Sequence, residues 1–403
     1  MGLVAIIDAT KLHPESPAIQ IAGLSLLERA LRLVEVIGAS SISVWANEDQ
    51  ELPELQDIQR GLPVQRLVPK ESVDVGADVS GLVVLDASIV YERSGVQRIV
   101  GDLSEIPVGR DPSGHLVALG APELSQRGFD RERYLDLREQ AAPILRLGWS
   151  ISIETADDAR RAARRLWRSC RKAEDGLVAR YLNRHISIAI SKILASTAVR
   201  PNHVTGLTFV LGVAAAVAAG WGGYLGFLTA GLLYQANSVI DGVDGELARV
   251  RYEFSVRGEW LDTISDDLAD LFIYLGIGVG AWRTLPDAPG PLGSEFWLIL
   301  GLIAAASKIA SMALYYRWLI ARGRGDLLAF QWSFEDGNQE RSPLDRLLSA
   351  SRYLFRKDFI VFTAMVMSVV GLLPYLLLAL APGNLIVAFS VLLQQLRSGD
   401  PQL

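Results

Sequence analysis

Sulfur and imidazole are scarce in this chain: its 403 residues include one cysteine, Cys170, and four histidines, His13, His115, His185 and His203. A lone thiol excludes an intrachain disulfide and any multi-thiolate metal site built within one chain. Cys170 sits in a basic stretch where palmitoylation is conceivable, but an inert small residue is the preferred reading. The N-terminus, Met1-Gly2-Leu3-Val4-Ala5-Ile6-Ile7-Asp8, lacks the basic start of a signal peptide and reaches Asp8 too soon for one. Ile6 stands where a myristoylation signal needs Ser or Thr. The first domain is therefore expected to stay on the cytoplasmic side. Solenoid-period repeats and low-complexity segments are also missing.

Half the residues are hydrophobic, the formal net charge is −6 and the mean hydropathy is +0.26. The two parts of the chain differ. Charges are frequent up to about residue 175, whereas long apolar stretches recur from 204 to 396 with charge confined between them. We expect a cytoplasmic α/β domain over 1–150, a basic linker and amphipathic juxtamembrane helix over 151–200, and a six-helix membrane domain over 201–403.

In the first part, residues 3–7, 42–45 and 82–85 read as buried strands, and 24–36 carries Leu26, Leu27, Ala30, Leu31, Leu33 and Val34 at helical spacing. Strands alternating with helices predict a largely parallel, Rossmann-like sheet. The segment from Ile21-Ala22-Gly23-Leu24 to Arg32, followed by Gly38-Ala39 and the strand at Ile42, resembles the early part of sugar-phosphate nucleotidyltransferases. That resemblance implies a glycine-rich phosphate loop after the first strand, because bare backbone N–H groups must approach the phosphates. Here the loop is Asp8-Ala9-Thr10-Lys11-Leu12-His13-Pro14, without glycine, and Ser88 aligns with the family's metal-binding Asp while Asp86 falls two positions early. The expectation is a domain that keeps the fold and has lost the reaction. A generic α/β scaffold is the alternative.

Thr155-Ala156-Asp157-Asp158 is a capping-box-like start for a helix bearing Arg160, Arg161, Arg164, Arg165, Arg168, Arg171 and Lys172. Anionic lipid attracts such a segment by about 1 kcal/mol per basic residue near the surface. Nucleic acid is the rejected partner, because the next stretch, 177–194, is amphipathic, with Tyr181, Leu182, Ile186, Ile190, Ile193 and Leu194 interrupted by Arg180, Arg184 and Lys192. Spans are predicted at 203–219, with Asn202 or Thr205 as cap, and at 224–249, 258–282, 295–321, 357–372 and 375–397, the last kinked at Pro382-Gly383. The connections after spans two and four carry Arg251, Arg257, Arg322, Arg324, Arg341, Arg346, Arg352, Arg356 and Lys357, whereas those after one and three offer only Arg283. The positive-inside rule puts the even-numbered loops and both termini in the cytoplasm.

Into this apolar region falls Asp241-x-x-Asp244-Gly245-x-x-Ala248-Arg249, then, after eight residues, Gly258-x-x-x-Asp262-x-x-x-Asp266. Four unpaired aspartates at a bilayer centre would cost on the order of 10 kcal/mol. Helical spacing puts Asp241, Asp244 and Ala248 on one face and Gly258, Asp262 and Asp266 on another, and the short connection makes the two helices antiparallel neighbours. Converging carboxylates require cations, and hard oxygen ligands select Mg²⁺, Mn²⁺ or Ca²⁺. Two such ions about 4 Å apart would clamp a diphosphate. Gly245, Ala248 and Gly258 leave room for a nucleotide against the backbone. Arg249 either neutralises phosphate or anchors the helix end. Asp270 continues the spacing one turn deeper, in an interior pairing role. Lys308, Arg317, Arg356 and Lys357 are candidates for an acceptor phosphate, with pairing to Asp270 or snorkelling as the alternative for Lys308.

This aspartate pattern is identified as the signature of the CDP-alcohol phosphotransferases, matched at every defined position over a resemblance that runs from 177 to 397. The resemblance implies six transmembrane helices, a homodimer, two divalent cations held by Asp241, Asp244, Asp262 and Asp266, and release of CMP from a CDP-alcohol as a second alcohol attacks, with Asp266 also the general base. Within the family, Arg171-Lys172-x-x-Asp175-Gly176-x-Val178-x-Arg180-Tyr181-Leu182-Asn183-Arg184 behind a degenerate nucleotidyltransferase domain looks most like the bifunctional inositol-phosphate cytidylyltransferase and di-inositol-phosphate phosphate synthase group. CDP-inositol and inositol phosphate are then the expected substrates, with a CDP-diacylglycerol donor as runner-up. Intramembrane acids also suit a cation-coupled transporter, but these cluster near the cytoplasmic end and no inverted repeat is legible. An inactive scaffold is at odds with the intact aspartates.

Overall fold

The apolar runs at 3–7 and 82–85 become the two central strands of a sheet, buried on both faces as near-continuous hydrophobic segments require. The computed structural model describes residues 2–12, 19–50, 52, 64–73, 79–103, 108–110, 116–120, 129–140, 148–172, 175–285, 292–321 and 356–398. Packing divides the chain into two units, the first formed by Met1–Cys170, Ala195–Thr197 and Arg249–Glu253.

The first unit is α/β. Its elements are β1 (Gly2–Asp8), α1 (Leu26–Val36), β2 (Ala39–Trp45), β3 (Val64–Leu67), β4 (Val79–Asp86), β5 (Ile89–Tyr91), α2 (Arg93–Gly101), β6 (Val108–Arg110), β7 (Leu116–Gly120), α3 (Arg131–Gln140), β8 (Ser150–Ser152) and α4 (Ala156–Ser169). The main sheet has the order β3-β2-β1-β4-β7-β6. Pairing is parallel from β3 to β4 and antiparallel at β7 and β6. The strand order reverses between β1 and β4, where open α/β sheets place their binding crevice. Asp8 and Asp86, the last residues of those strands, are register partners there.

Helix α1 starts at Ser25, whose hydroxyl accepts from the Glu28 N–H. The expected capping box of α4 is present, with Thr155 and Asp158 bonded reciprocally. The Thr155 hydroxyl, aided by Arg161, holds the Asp158 carboxyl below its usual range. One side of α4 contributes Ala162 and Leu166 to a core with Ile21, Leu26, Val90 and Ile153, leaving Arg160, Arg161, Arg164, Arg165 and Arg168 exposed on the other. Cys170 is fully buried. The same unit buries Arg29, which donates to the Val250 carbonyl at 2.8 Å and lies over the Tyr252 ring.

The second unit is helical. After a π-helical turn at Ala179–Asn183 come α5 (Arg184–Leu194), α6 (Pro201–Trp221), α7 (Gly223–Arg251), α8 (Val256–Thr284), α9 (Glu295–Ala321), α10 (Lys357–Val369) and, beyond a 3₁₀ turn at Leu373–Leu376, α11 (Leu377–Ser398). The helices from α6 to α11 coincide with the expected spans. Among the described residues, only Pro201–Trp221 and Glu295–Arg317 are both long and apolar enough to cross a membrane by composition. The acids of α7 and α8 lower the mean hydropathy of those two helices. The cap of α6 is Arg200, in place of the expected Asn202 or Thr205. Helix α11 runs through Pro382.

The core of this unit joins Ala215 and Ala219 of α6, Tyr234 of α7, Tyr274 and Ile277 of α8, Trp297 of α9 and Leu377 of α11. Glycine brings α8 and α9 into backbone contact: a Cβ on Gly278 would lie 3.0 Å from the Gly301 Cα. Arg322, Arg324, Arg341, Arg346 and Arg352, which entered the orientation argument, lie outside the described residues, as do His13, Pro14 and His115.

Candidate active site

Near the C-terminal end of α7 and within the N-terminal half of α8, oxygen atoms of Asp241, Asp262 and Asp266 lie within 4.8 Å of one another. Asp262 lies against Asp244 as well. The i, i+4 spacing of Asp262 and Asp266 aligns them on one face of α8, and Asp241 meets that face from α7. Asp244 is held by its surroundings: its Oδ2 accepts from Thr205 Oγ1 at 2.7 Å, and its Oδ1 accepts from the Gly245 N–H. Asp241 Oδ1 is buried and has no hydrogen-bond partner among the described residues. An orphaned carboxylate oxygen inside a ring of hard donors is the arrangement a divalent cation would satisfy.

Gly258 sits at the start of α8, its N–H donating to Ser255 Oγ at 2.9 Å. A Cβ there would stand 3.2 Å from Asn202 Oδ1, so the glycine clears a tight spot. Arg249 Nε is buried without a hydrogen-bond partner among the described residues.

The four basic candidates separate. Lys357, the first residue of α10, reaches the site, with Nζ 2.7 Å from Asp266 Oδ2 and 4.0 Å from Asp270 Oδ1. Lys308 is paired with Asp267 at 2.7 Å and Asp270 at 3.2 Å. Arg356 faces Asp358 at 3.8 Å, and Arg317 is exposed. The interior role expected for Asp270 is visible in its partners: besides the lysines it accepts from Tyr234 Oη at 2.6 Å.

Several residues escaped the sequence reading. Asp267, next to a motif aspartate, is buried, pairs with Lys308 and accepts from Tyr316 Oη at 2.8 Å. Its i, i+3 relation to Asp270, opposite a lysine in the fourth apolar run, was the available signal. Glu246, inside the motif at an undefined position, is fully buried and accepts from Arg184, Ser187 and Ser191. Arg184 entered the amphipathic reading of 177–194 only as a cation interrupting its apolar residues. It is buried between Asp175 and Glu246. Burial alone would raise the Asp175 pKa, but the paired hydrogen bonds and charge of Arg184 outweigh it and hold the carboxyl below its usual range. Burial likewise opposes the charge of Arg184, and its two carboxylate partners hold it above its ordinary value.

The family described as CDP-alcohol phosphatidyltransferase matches residues 198–392, which span α6 to α10 and most of α11. The helical part of this chain matches that family. The bifunctional IPC transferase and DIPP synthase of Thermococcus kodakarensis is 38% identical over 142 residues, 34% of this chain and 32% of that protein. The matched stretch thus spans about a third of that relative's length. A protein of the same name from Rubrobacter xylanophilus is 28% identical over 331 residues, covering 68% of this chain and 75% of the relative. The archaetidylinositol phosphate synthase of Pyrococcus horikoshii is 34% identical over 92 residues, 23% of this chain and 47% of that protein. Among solved structures, the 4-diphosphocytidyl-2C-methyl-D-erythritol synthase of Anaerococcus prevotii covers 41% of this chain and 98% of its own, at 12% identity and a TM-score of 0.32.

Proposed function

We propose that this chain is an integral membrane phosphotransferase that moves a substituted phosphate from a CDP-alcohol to a second alcohol and releases CMP. The observation that carries this reading is the convergence of Asp241, Asp262 and Asp266, joined by Asp244, inside a helical unit of the matching family. Asp241, Asp244, Asp262 and Asp266 would hold two divalent cations, Mg²⁺ or Mn²⁺, as oxygen donors without histidine or thiolate suit them. When bound, those ions neutralise diphosphate charge and favour departure of CMP.

Asp266 is the general base. The acceptor hydroxyl gives its proton to this carboxylate as its oxygen bonds to the β-phosphorus, and the bond from that phosphorus to the bridging oxygen breaks, its electron pair leaving with CMP. Gly245, Ala248 and Gly258 leave room for the nucleotide. Lys357, already at Asp266, orients that carboxylate and can meet an incoming acceptor phosphate. The six helices from α6 to α11 cross the membrane, with the active site on the cytoplasmic side, in a homodimer.

CDP-inositol and inositol phosphate are the proposed substrates, in line with the bifunctional IPC transferase and DIPP synthase relatives. A CDP-diacylglycerol donor is the second reading, favoured by the front unit. There Asp8 pairs with Arg131 at 3.1 Å and Asp86 with Lys11 at 3.1 Å, so both acids at the crevice are already matched by cations. We therefore hold that this unit no longer transfers cytidylyl groups, and robust turnover of CTP with inositol phosphate by the full chain would refute that.

The test of the main reading is CMP release from a panel of CDP-alcohols with Mg²⁺ or Mn²⁺, comparing the wild type with Asp266→Asn. Loss of the base and a ligand should lower turnover by at least about 10²–10⁴-fold while CDP-alcohol binding largely remains. Undiminished turnover in Asp266→Asn removes its role as base. CMP release from no donor removes the enzyme reading.

A further inference from the structure

Helix α7 has a second working face. Gln235, Ser238, Gly242 and Glu246 recur at i, i+3, i+7 and i+11, a polar stripe along its length. Opposite lie Asn183 of the π-helical turn and Arg184, Ser187 and Ser191 of α5. Gln235 Nε2 donates to Asn183 Oδ1 at 2.9 Å, and Asn183 Nδ2 donates to Ser238 Oγ at 3.2 Å. Glu246 is the heaviest member: Oε1 accepts from Arg184 Nη1 at 2.9 Å and Ser187 Oγ at 2.6 Å, and Oε2 accepts from Ser191 Oγ at 2.6 Å.

Arg184 is itself clamped by Asp175, with Nη2 to Oδ1 at 3.0 Å and Nε to Oδ2 at 3.1 Å. Gly242 gives the guanidinium its space, since a Cβ there would lie 3.0 Å from Arg184 Nη1. The other side of this segment is apolar and open: Tyr181 is 72% and Ile193 71% exposed. Its polar face is thus turned inward, onto the motif helix.

At about 100° per residue, Glu246 points roughly 140–160° around the helix from Asp241 and Asp244. It does not face their site, but it fixes the rotation of the helix that carries them. A carboxylate held about 5–6 Å from the helix axis moves roughly 1 Å when the helix turns by 10°. That exceeds the ~0.2 Å tolerance of a metal–ligand distance.

We propose that Glu246 is a positioning residue: through Arg184, Ser187 and Ser191 it locks the axial rotation of α7 against α5 and so sets Asp241 and Asp244 for divalent cations. This rests on the two-cation reading of the site. The buried carboxylate suits the task because its three donors come from one short helix, so any rotation of α7 breaks charge-assisted bonds in a dry setting.

The test uses the full chain in detergent, with Glu246→Gln and, as a second route should that variant not fold, the pair Ser187→Ala and Ser191→Ala. Mn²⁺ binding to the substrate-free protein is measured by calorimetry, with kcat and donor KM measured separately. The expected result is a Kd for Mn²⁺ raised about 10–100-fold, as when a ligand's outer support is lost. At subsaturating metal, kcat should fall more than donor KM changes, and the metal-free unfolding midpoint should still report a folded protein. Wild-type Mn²⁺ affinity in a folded variant overturns the inference and leaves the two-cation reading standing. Absence of Mn²⁺ binding to the wild type overturns both.

Discussion

Lys308→Met separates two roles for an interior lysine. In the structure its ammonium is 2.7 Å from Asp267 and 3.2 Å from Asp270, and the side chains of these three residues are 19%, 8% and 7% exposed. Methionine keeps the length and removes the charge, leaving Asp267 with Tyr316 and Asp270 with Tyr234 and the more distant Lys357. Removing one partner of a buried ion pair costs about 3–5 kcal/mol, because the stranded carboxylate has lost its water as well as its cation. In a unit of this size about 1 kcal/mol moves the midpoint by roughly 2–4 °C, so Tm should fall by roughly 6–20 °C. Thermal unfolding of the full chain in detergent, followed by tryptophan fluorescence, reads this directly. The triple variant Asp267→Asn, Asp270→Asn, Lys308→Met should recover most of the loss, since replacing a whole buried ionic group is often close to neutral. An unchanged Tm with a raised acceptor KM would refute the structural role and restore Lys308 as a phosphate ligand.

Two other outcomes are expected. Thr205→Val removes the hydroxyl that Asp244 accepts at 2.7 Å, and Mg²⁺ activation should weaken about 10–100-fold, measured as the metal concentration giving half-maximal CMP release. The Asp175 carboxyl is held below its ordinary value of 3.8 by Arg184. Its stabilisation is therefore full above that value and is lost as pH falls through the lowered folded one. Asp175→Asn should be less stable than the wild type at neutral pH and should show a shallower acid slope in its unfolding midpoint.

The sequence exposes what repeats along one helix and hides what lies across from it. Apolar length located α6 to α11 to within a few residues, and the i, i+4 rule put Asp262 and Asp266 on one face of α8. Strand periodicity located β1, β2 and β4, and hydroxyl–acid spacing found the cap of α4. The burial of Arg184 was not legible for a physical reason: an amphipathic pattern says that polar and apolar faces exist, not which one meets water. In a soluble helix the charges face out. Beside α7 the same pattern is inverted, because the motif helix offers Glu246 and a bare Gly242 to receive the guanidinium. Glu246 itself occupies a position that the motif leaves undefined.

Charge matching distinguishes three of the acidic groups in this chain better than their proximity does. In the front unit, Asp8 and Asp86 meet Arg131 and Lys11, one cation for each acid. Deeper in the helical unit, Asp267 and Asp270 share Lys308, with two tyrosine hydroxyls and the more distant Lys357 completing the set. At the motif, Asp241, Asp244, Asp262 and Asp266 have one nearby ammonium among the described residues, that of Lys357, which also reaches toward Asp270. Close carboxylates repel one another, and a single lysine offsets only part of that charge. Of these three groups, this one has the least countercharge among the described residues, and Asp241 Oδ1 is buried there without a hydrogen-bond partner. The same comparison separates the front crevice from the motif: both gather acids, but the crevice pairs each acid with a cation, whereas the described residues around the motif offer four acids one lysine.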